Sequence, residues 1–469
     1  MDATSQLKPF LEPKSVVVVG AQPHSGEQAF NIMENLAYCG YQGQVYPVNP
    51  NYREILGKKS YPTVIDVPDT IDLAIISTPR STVPGIIRQC ADKGIRAAVV
   101  VGQGFADAND EEGKRLQQEL VEVARERGIR LLGPNTLGTA NPFIDFSTSF
   151  GRLVNMRKMP VALVSQSGIF FSTFDGLTLI GKGIDLGNAC DVDFPDALEY
   201  FEQDPEIKVI VLHIEGIRDG KRFKEVAHRV AKKKPILALK TGKSEQAARS
   251  AQSHTASLVG RDEVWEAVFK QCGIIRADDI DELGDLVKTF CYLPLMEGRG
   301  ISVVTLSGGF GIVSVDACAK NNLRIVELSP ATMQKLEATS PPWLRVGNPV
   351  DIWPIMATSP HPFGETFKAV LTDVLSDHRV NAVVIIAGVW LEPFSPPITE
   401  VIQQMVDAFP NKPIAWCSYE GWLYDIQTEE LVGRLEKVGK AAVFSSPDRA
   451  MKALAKLAWY SEFRSAIVP

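Results

Sequence analysis

Val161-Ala162-Leu163-Val164-Ser165-Gln166-Ser167-Gly168 is an apolar run of strand length that breaks into a turn of small and hydroxylated residues. A run this short, stopped by serine and glycine, suits a strand buried on both faces that turns tightly into a helix. The same order of residues returns at Val303-Val304-Thr305-Leu306-Ser307-Gly308-Gly309, which points to two related subdomains. Upstream, Ser15-Val16-Val17-Val18-Val19-Gly20 opens a further unit, with Pro23, Ser25 and Gly26 in its first turn. Apolar runs follow at 44–48, 73–76, 97–101 and 130–132 in the first unit. Others stand at 208–214 and 236–239 in the second, and at 382–386 and 413–416 in the third. Amphipathic stretches lie between them, so the expected class is α/β, with doubly wound parallel sheets. The expected domains span 1–145, 146–296 and 297–469, with Met296-Glu297-Gly298-Arg299-Gly300 as the linker before the third.

Composition narrows the function. The chain has 469 residues, 45% hydrophobic and 22% charged, ordinary for a globular protein with large cores. Its formal net charge of −7 comes without a basic block, so neither nucleic acid nor an anionic membrane is an expected partner. Seven cysteines stand apart, without a C-x-x-C pair, which argues against zinc sites and disulfides and suits a reducing cytosol. No window has membrane-spanning length and the first residues have no apolar leader core, so a cytoplasmic location is expected.

Chemistry concentrates in a few turns. Ser253-His254-Thr255-Ala256 places an imidazole in a run of small residues after the strand 236–239. A neutral imidazole accepts phosphoryl groups near physiological pH. Glu215, directly after the run 208–214, stands where parallel sheets place their sites. A carboxylate there can hydrogen-bond an imidazole and support its cation. Ser165, Gln166, Ser167 and Gly168 form a turn able to hold an anion on helix-end amides. The Gly20 turn departs from the dinucleotide fingerprint in spacing, and Val48-Asn49-Pro50-Asn51 offers no acid for a ribose, so NAD is disfavoured. Gly176-x4-Gly181-Lys182 and Thr241-Gly242-Lys243-Ser244 imitate P-loops but break the pattern. Both read as ordinary turns, and no ATP-binding domain is expected in this chain.

Taken in register, several motifs together resemble the α subunit of the nucleoside-diphosphate-forming acyl-CoA synthetases, of the ADP-forming acetyl-CoA synthetase type and related to succinyl-CoA synthetase. They are Ser15 to Gly26, Val45-Tyr46-Pro47-Val48-Asn49-Pro50, Gly133-Pro134-Asn135, Ser165 to Gly168, Glu215-Gly216, Ser253-His254-Thr255 and Asn348-Pro349-Val350-Asp351. The resemblance implies a Rossmann-like CoA-binding domain followed by two flavodoxin-like domains of the succinyl-CoA synthetase kind. It implies reversible conversion of acyl-CoA, phosphate and ADP to acid, CoA and ATP, through an acyl phosphate and a phosphohistidine at His254 that Glu215 stabilises. The turn 165–168 would hold phosphate, and Gly20, Gly26, Pro47, Asn49, Pro134 and Asn135 would serve CoA. Nucleotide and Mg2+ would sit on an ATP-grasp β subunit, in an αβ or α2β2 assembly.

This chain departs from that family's pattern at Ala256 after His-Thr, at Ala29 in the first turn, at Thr136, and at Ile352-Trp353-Pro354. The alternatives are a non-catalytic CoA-sensing subunit and an NAD(P)-dependent oxidoreductase built on the first domain. The pair His254 and Glu215 speaks against the first, and the missing ribose acid against the second.

Overall fold

The computed structural model describes residues 3–25, 31–108, 110–149, 157–168, 180–243, 261–387, 395–417 and 441–466. It divides into two compact units, 1–280 and 281–469. Among the described residues, the first unit holds two large sheets and a two-stranded hairpin, and the second unit one sheet.

The first sheet uses β1 (Ser15–Val19) and β2 (Gln44–Val48). A small hairpin follows, of β3 (Glu54–Ile55) and β4 (Lys58–Lys59), and then β5 (Leu73–Ile76), β6 (Ala97–Val100) and β7 (Arg130–Leu132). Its order is β2-β1-β5-β6-β7, and all of its pairings are parallel. Val16 to Val19, Leu73 to Ile76 and Ala97 to Val100 are buried, as continuous apolar runs covered by helices on both faces require. Pro47 sits on the edge strand β2, where a missing N–H costs least.

The second sheet comprises β8 (Thr139–Asn141), β9 (Phe146–Ser147), β10 (Val161–Ser165), β11 (Lys182–Asp185), β12 (Val209–Ile214), β13 (Ile236–Lys240) and β14 (Ile275–Ala277). Its order is β14-β13-β12-β10-β11-β8-β9, with β8 and β9 antiparallel on one edge. That hairpin straddles the expected boundary at 145. Gly181-Lys182 is not the turn expected from sequence. Lys182 opens β11, and its buried ammonium lies 2.7 Å from Asp204 and 2.6 Å from Glu206.

The third sheet comprises β15 (Gly300–Thr305), β16 (Arg324–Ile325), β17 (Val350–Asp351), β18 (Ala382–Ile386), β19 (Ile414–Cys417) and β20 (Ala441–Phe444). The path is β16-β15-β18-β19-β20, with β17 also paired to β15. Met296 is buried and Arg299 pairs with Glu462, so the expected linker is packed structure inside the second unit.

Counted by their parallel strands, the first two sheets run second-first-third-fourth-fifth, and the third does the same once the short β17 is set aside, the doubly wound order with its switch point beside the first strand. The likeness of the second and third sheets reaches their turns. Ser165 Oγ accepts from Ser167 N at 3.0 Å and donates to the Ser167 carbonyl at 2.8 Å, and Thr305 Oγ1 does the same with Ser307 at 3.0 and 2.9 Å. A Cβ on Gly168 would lie 3.4 Å from Asp185 Oδ2, and one on Gly308 3.2 Å from Asp351 Oδ2. The duplication expected from two short motifs is therefore visible as repeated hydrogen-bonding geometry.

Candidate functional site

At the switch point of the second sheet, the turn after β10 meets the end of β12. Parallel strands bring their carboxyl ends to one edge, and doubly wound sheets place their ligand sites outside that edge at the switch point. Ser165 pairs in register with His213, so both side chains stand at that edge. Ser165 and Gln166 are buried, and Ser167 and Gly168 are partly exposed.

Gln166 ties the two strand ends together. Its side-chain oxygen accepts from the N–H of Glu215 at 2.7 Å and of Gly216 at 3.0 Å, while its own N–H donates to the His213 carbonyl at 3.3 Å. Glu215 is thereby held at this edge with only 9% of its surface exposed. The turn residues expected to hold an anion thus divide into two kinds. The amide of Gln166 is spent on the His213 carbonyl and that of Ser167 on Ser165 Oγ inside the turn, while a Cβ on Gly168 would stand 2.9 Å from the Leu137 side chain and 3.4 Å from Asp185 Oδ2.

Three residues of this edge have no motif in the sequence. His213, which has no distinctive sequence context, lies with Nδ1 3.2 Å from Ser165 Oγ and Nε2 3.3 Å from Thr241 Oγ1. Ser165 Oγ already donates to Ser167, so His213 Nδ1–H donates to it, and Thr241 donates its hydroxyl to Nε2. Burial pushes the imidazole down to about 3, and the Lys240 charge adds to the shift, so the ring is neutral at physiological pH. Lys240 ends β13, with its ammonium 5.3 Å above the Trp265 ring. Burial pulls it down to about 8, against the opposing charges of Asp262 and Glu215.

Asp185, at the end of β11, accepts from Leu137 N at 2.7 Å and Gly187 N at 3.3 Å. Burial raises it to about 6, and Glu215 pushes the same way. Thr136, one of the departures noted above, accepts from Gly138 N at 2.8 Å and donates to the Asp185 carbonyl. The signal for these three was only their position at strand ends, which becomes specific once the strand order is known.

Thr241-Gly242-Lys243 leaves β13 as a turn, with Gly242 at φ +76°. It leads directly into the segment that carries His254, which lies outside the described residues, as do Gly26, Ala29 and Ala256. The edge that precedes the histidine is therefore built from Ser165, His213, Glu215, Lys240 and Thr241.

The first sheet has a crevice at the corresponding switch point. A cavity of about 360 Å³ is lined by Gly20, Ala21, Asn31, Ser77, Gly102 and Gln103, among others. Gly20 has φ +84°, and a Cβ there would stand 2.3 Å from the Ser77 carbonyl oxygen, so only glycine fits. Asn49 supports this wall by donating to the Ala21 carbonyl at 2.8 Å. Asn135 N donates to the Gly102 carbonyl at 2.9 Å, and the Pro134 carbonyl accepts from Asn188 N at 2.9 Å. Gly20 lines the cavity, Asn49 and Asn135 brace its walls, and Pro47 stands within β2.

Comparison with known proteins covers nearly the whole chain. It matches the CoA binding domain family over residues 14–142, the succinyl-CoA ligase like flavodoxin domain over 158–290, and the ligase-CoA domain over 301–462. The acetate–CoA ligase [ADP-forming] I subunit alpha of Pyrococcus furiosus is 33% identical over 474 residues, 98% of each chain. The acetate–CoA ligase [ADP-forming] of Methanocaldococcus jannaschii is 40% identical over 352 residues, 74% of this chain, which spans 49% of that relative's length. Among solved structures, the dinucleotide forming acetyl-coenzyme A synthetase 1 of Ca. Korarchaeum cryptofilum, in complex with phosphate and ADP, superposes with a TM-score of 0.85. The identity there is 32%, with 98% of each chain covered. Among the described residues, no helix is long and apolar enough to cross a membrane.

Proposed function

Since this chain belongs to the family of ADP-forming acyl-CoA ligases, we propose that it is the CoA- and acyl-handling part of such a ligase, and that His254 is its phosphoryl carrier. Phosphate attacks the acyl-CoA carbonyl and CoA leaves as the thiol. An imidazole nitrogen of His254 then attacks the phosphorus of the acyl phosphate, and the carboxylate leaves. The phosphohistidine finally passes its phosphoryl group to ADP, and every step is reversible. The observation that carries this reading is the Gln166 clamp, which holds the buried Glu215 at the switch-point edge from which the His254 segment departs.

In this proposal Glu215 orients the imidazole and supports its positive charge as the phosphoryl group arrives. Ser165, Gln166, Ser167 and Gly168 form the phosphate side of this edge. Ser165 and Gln166 act through position, and Gly168 lets the turn pack closely against Leu137 and Asp185. Gly20, Gly26, Pro47, Asn49, Pro134 and Asn135 form or brace the CoA site at the first switch point. The three domains, 1–145, 146–296 and 297–469, then divide CoA binding from ligase chemistry. Nucleotide is bound by an ATP-grasp partner in an αβ or α2β2 assembly. The support is that the M. jannaschii relative, named without a subunit, runs to about one and a half times this length, while the P. furiosus relative is named a subunit alpha. Mg2+ enters with that nucleotide.

The test is mass spectrometry of the chain after incubation with acetyl-CoA and phosphate. An acid-labile phosphoryl group on His254, absent in His254→Ala and reduced in Glu215→Gln, is the expected result. Absence of phosphohistidine with a panel of acyl-CoAs, and equally with ATP and an ATP-grasp partner, refutes it.

A further inference from the structure

In the first unit, the C-terminal end of the helix Glu111–Arg127 and the start of β7 border a cavity of about 810 Å³, together with Cys190, Asp191 and Arg218. Small-molecule pockets commonly measure roughly 300–1,000 Å³, so this one has room for a ligand. Arg96, Arg125, Arg130 and Arg218 line it, and Asp191 is the lining carboxylate.

The charges do not cancel. Arg130 Nε lies 2.9 Å from Asp191, which also accepts from Leu131 N at 2.8 Å, and Arg130 reaches Asp196 at 3.4 Å. That acid is therefore already engaged. Arg96 donates to the Arg127 carbonyl at 2.9 Å, and Arg218 to the Ala189 carbonyl at 2.6 Å. A carbonyl fixes a guanidinium without neutralising it, and leaves the remaining N–H donors of its fork unspent. Arg125 makes no ion pair among the described residues. Elsewhere in this unit Arg80, Arg88, Arg115, Arg222 and Arg229 each hold a carboxylate within 4 Å. Arg96, Arg125 and Arg218, none of them in an ion pair among the described residues, thus gather around one concavity in a chain of net charge −7, with the charge of Asp193 opposing that of Arg218.

We infer that this cavity is a binding site for a small polyanionic phosphate compound, separate from both switch-point edges. Planar guanidinium forks match phosphate oxygens two at a time. Pro9, Val121, Ala124 and Ile129 supply an apolar wall for the organic part of such a ligand. The site stands whether or not His254 carries phosphate. It is linked to that chemistry by chain distance alone, since Arg218 follows Glu215 by three residues.

The experiment is calorimetric titration of the full chain with inorganic pyrophosphate at low ionic strength, where exposed charges are least screened. Binding is expected to weaken about ten-fold or more in R96E/R125E, and to stay within about two-fold of wild type in Arg324→Glu, an exposed arginine of the second unit, while Ser165→Ala reads any binding at the other anion turn. Arg125→Gln alone, at an exposed position, gives a smaller loss in the same direction and covers misfolding of the double variant, which circular dichroism detects. Equal affinity in wild type and in folded arginine variants overturns the inference. So does loss confined to Ser165→Ala, or no heat of binding in wild type up to about 10 mM pyrophosphate, a Kd too weak for a built site.

Discussion

His213 has its ring between two hydroxyls, and that placement converts burial into a pH dependence of stability. Its folded pKa is depressed to about 3, whereas the unfolded chain titrates near 6.5. Below 6.5 the unfolded state binds the extra proton, so the stabilisation is fully present above 6.5 and is lost as pH falls toward 3. Each pH unit within that window is worth up to about 1.4 kcal/mol. Urea unfolding of wild type and His213→Gln between pH 7.5 and 4.5 should show a slope shallower by close to one proton in the variant. Equal slopes would mean that the imidazole does not titrate in this window.

Gly20 acts through geometry, not charge. A side chain there meets the Ser77 carbonyl at 2.3 Å on a left-handed backbone, so Gly20→Ala should destabilise by about 2–4 kcal/mol. It should also weaken CoA binding, as read by thermal unfolding and by CoA titration.

At the level of elements, the turn after β10 and the end of β12 form one unit because a single carboxamide serves both. Gln166→Ala leaves the buried amides of Glu215 and Gly216 without their acceptor, at a cost of about 1–3 kcal/mol for each. Phosphorylation of His254 should fall with it, because Glu215 loses its placement. A variant of unchanged stability would show that water replaces the carboxamide.

The edge of β11 tests a different force. Lys182 and Asp204 are 1% and 4% exposed, so Lys182→Met strands a buried carboxylate and should cost about 3–5 kcal/mol. The double variant K182M/D204L should recover most of that loss. If the two single costs simply add, the pair is not coupled.

At the scale of the whole molecule, the proposed function divides labour between this chain and an ATP-grasp partner. We expect this chain alone to form phosphohistidine from acyl-CoA and phosphate, and to release ATP from ADP only when an ATP-grasp subunit is added. ATP formation by the isolated chain in a coupled luciferase assay would contradict that division. Much of the architecture was legible in linear form. Val16 to Val19, Val161 to Val164 and Ile301 to Thr305 are apolar runs of strand length, and only strands covered on both faces tolerate such runs. Gly20, Glu215 and the turn 165–168 could be singled out because each stands directly after such a run, where a parallel sheet exposes its carboxyl edge. His213, Asp185, Lys240 and the four arginines of the cavity could not, because nothing in their neighbours along the chain marks them. Their roles come from which strands lie side by side. The order β13-β12-β10-β11 brings residues 20 to 75 positions apart to one edge, and burial there shifts their charges. Local pattern fixes elements through backbone periodicity and side-chain burial; only the pairing of distant strands fixes the electric environment in which a histidine or an arginine acts.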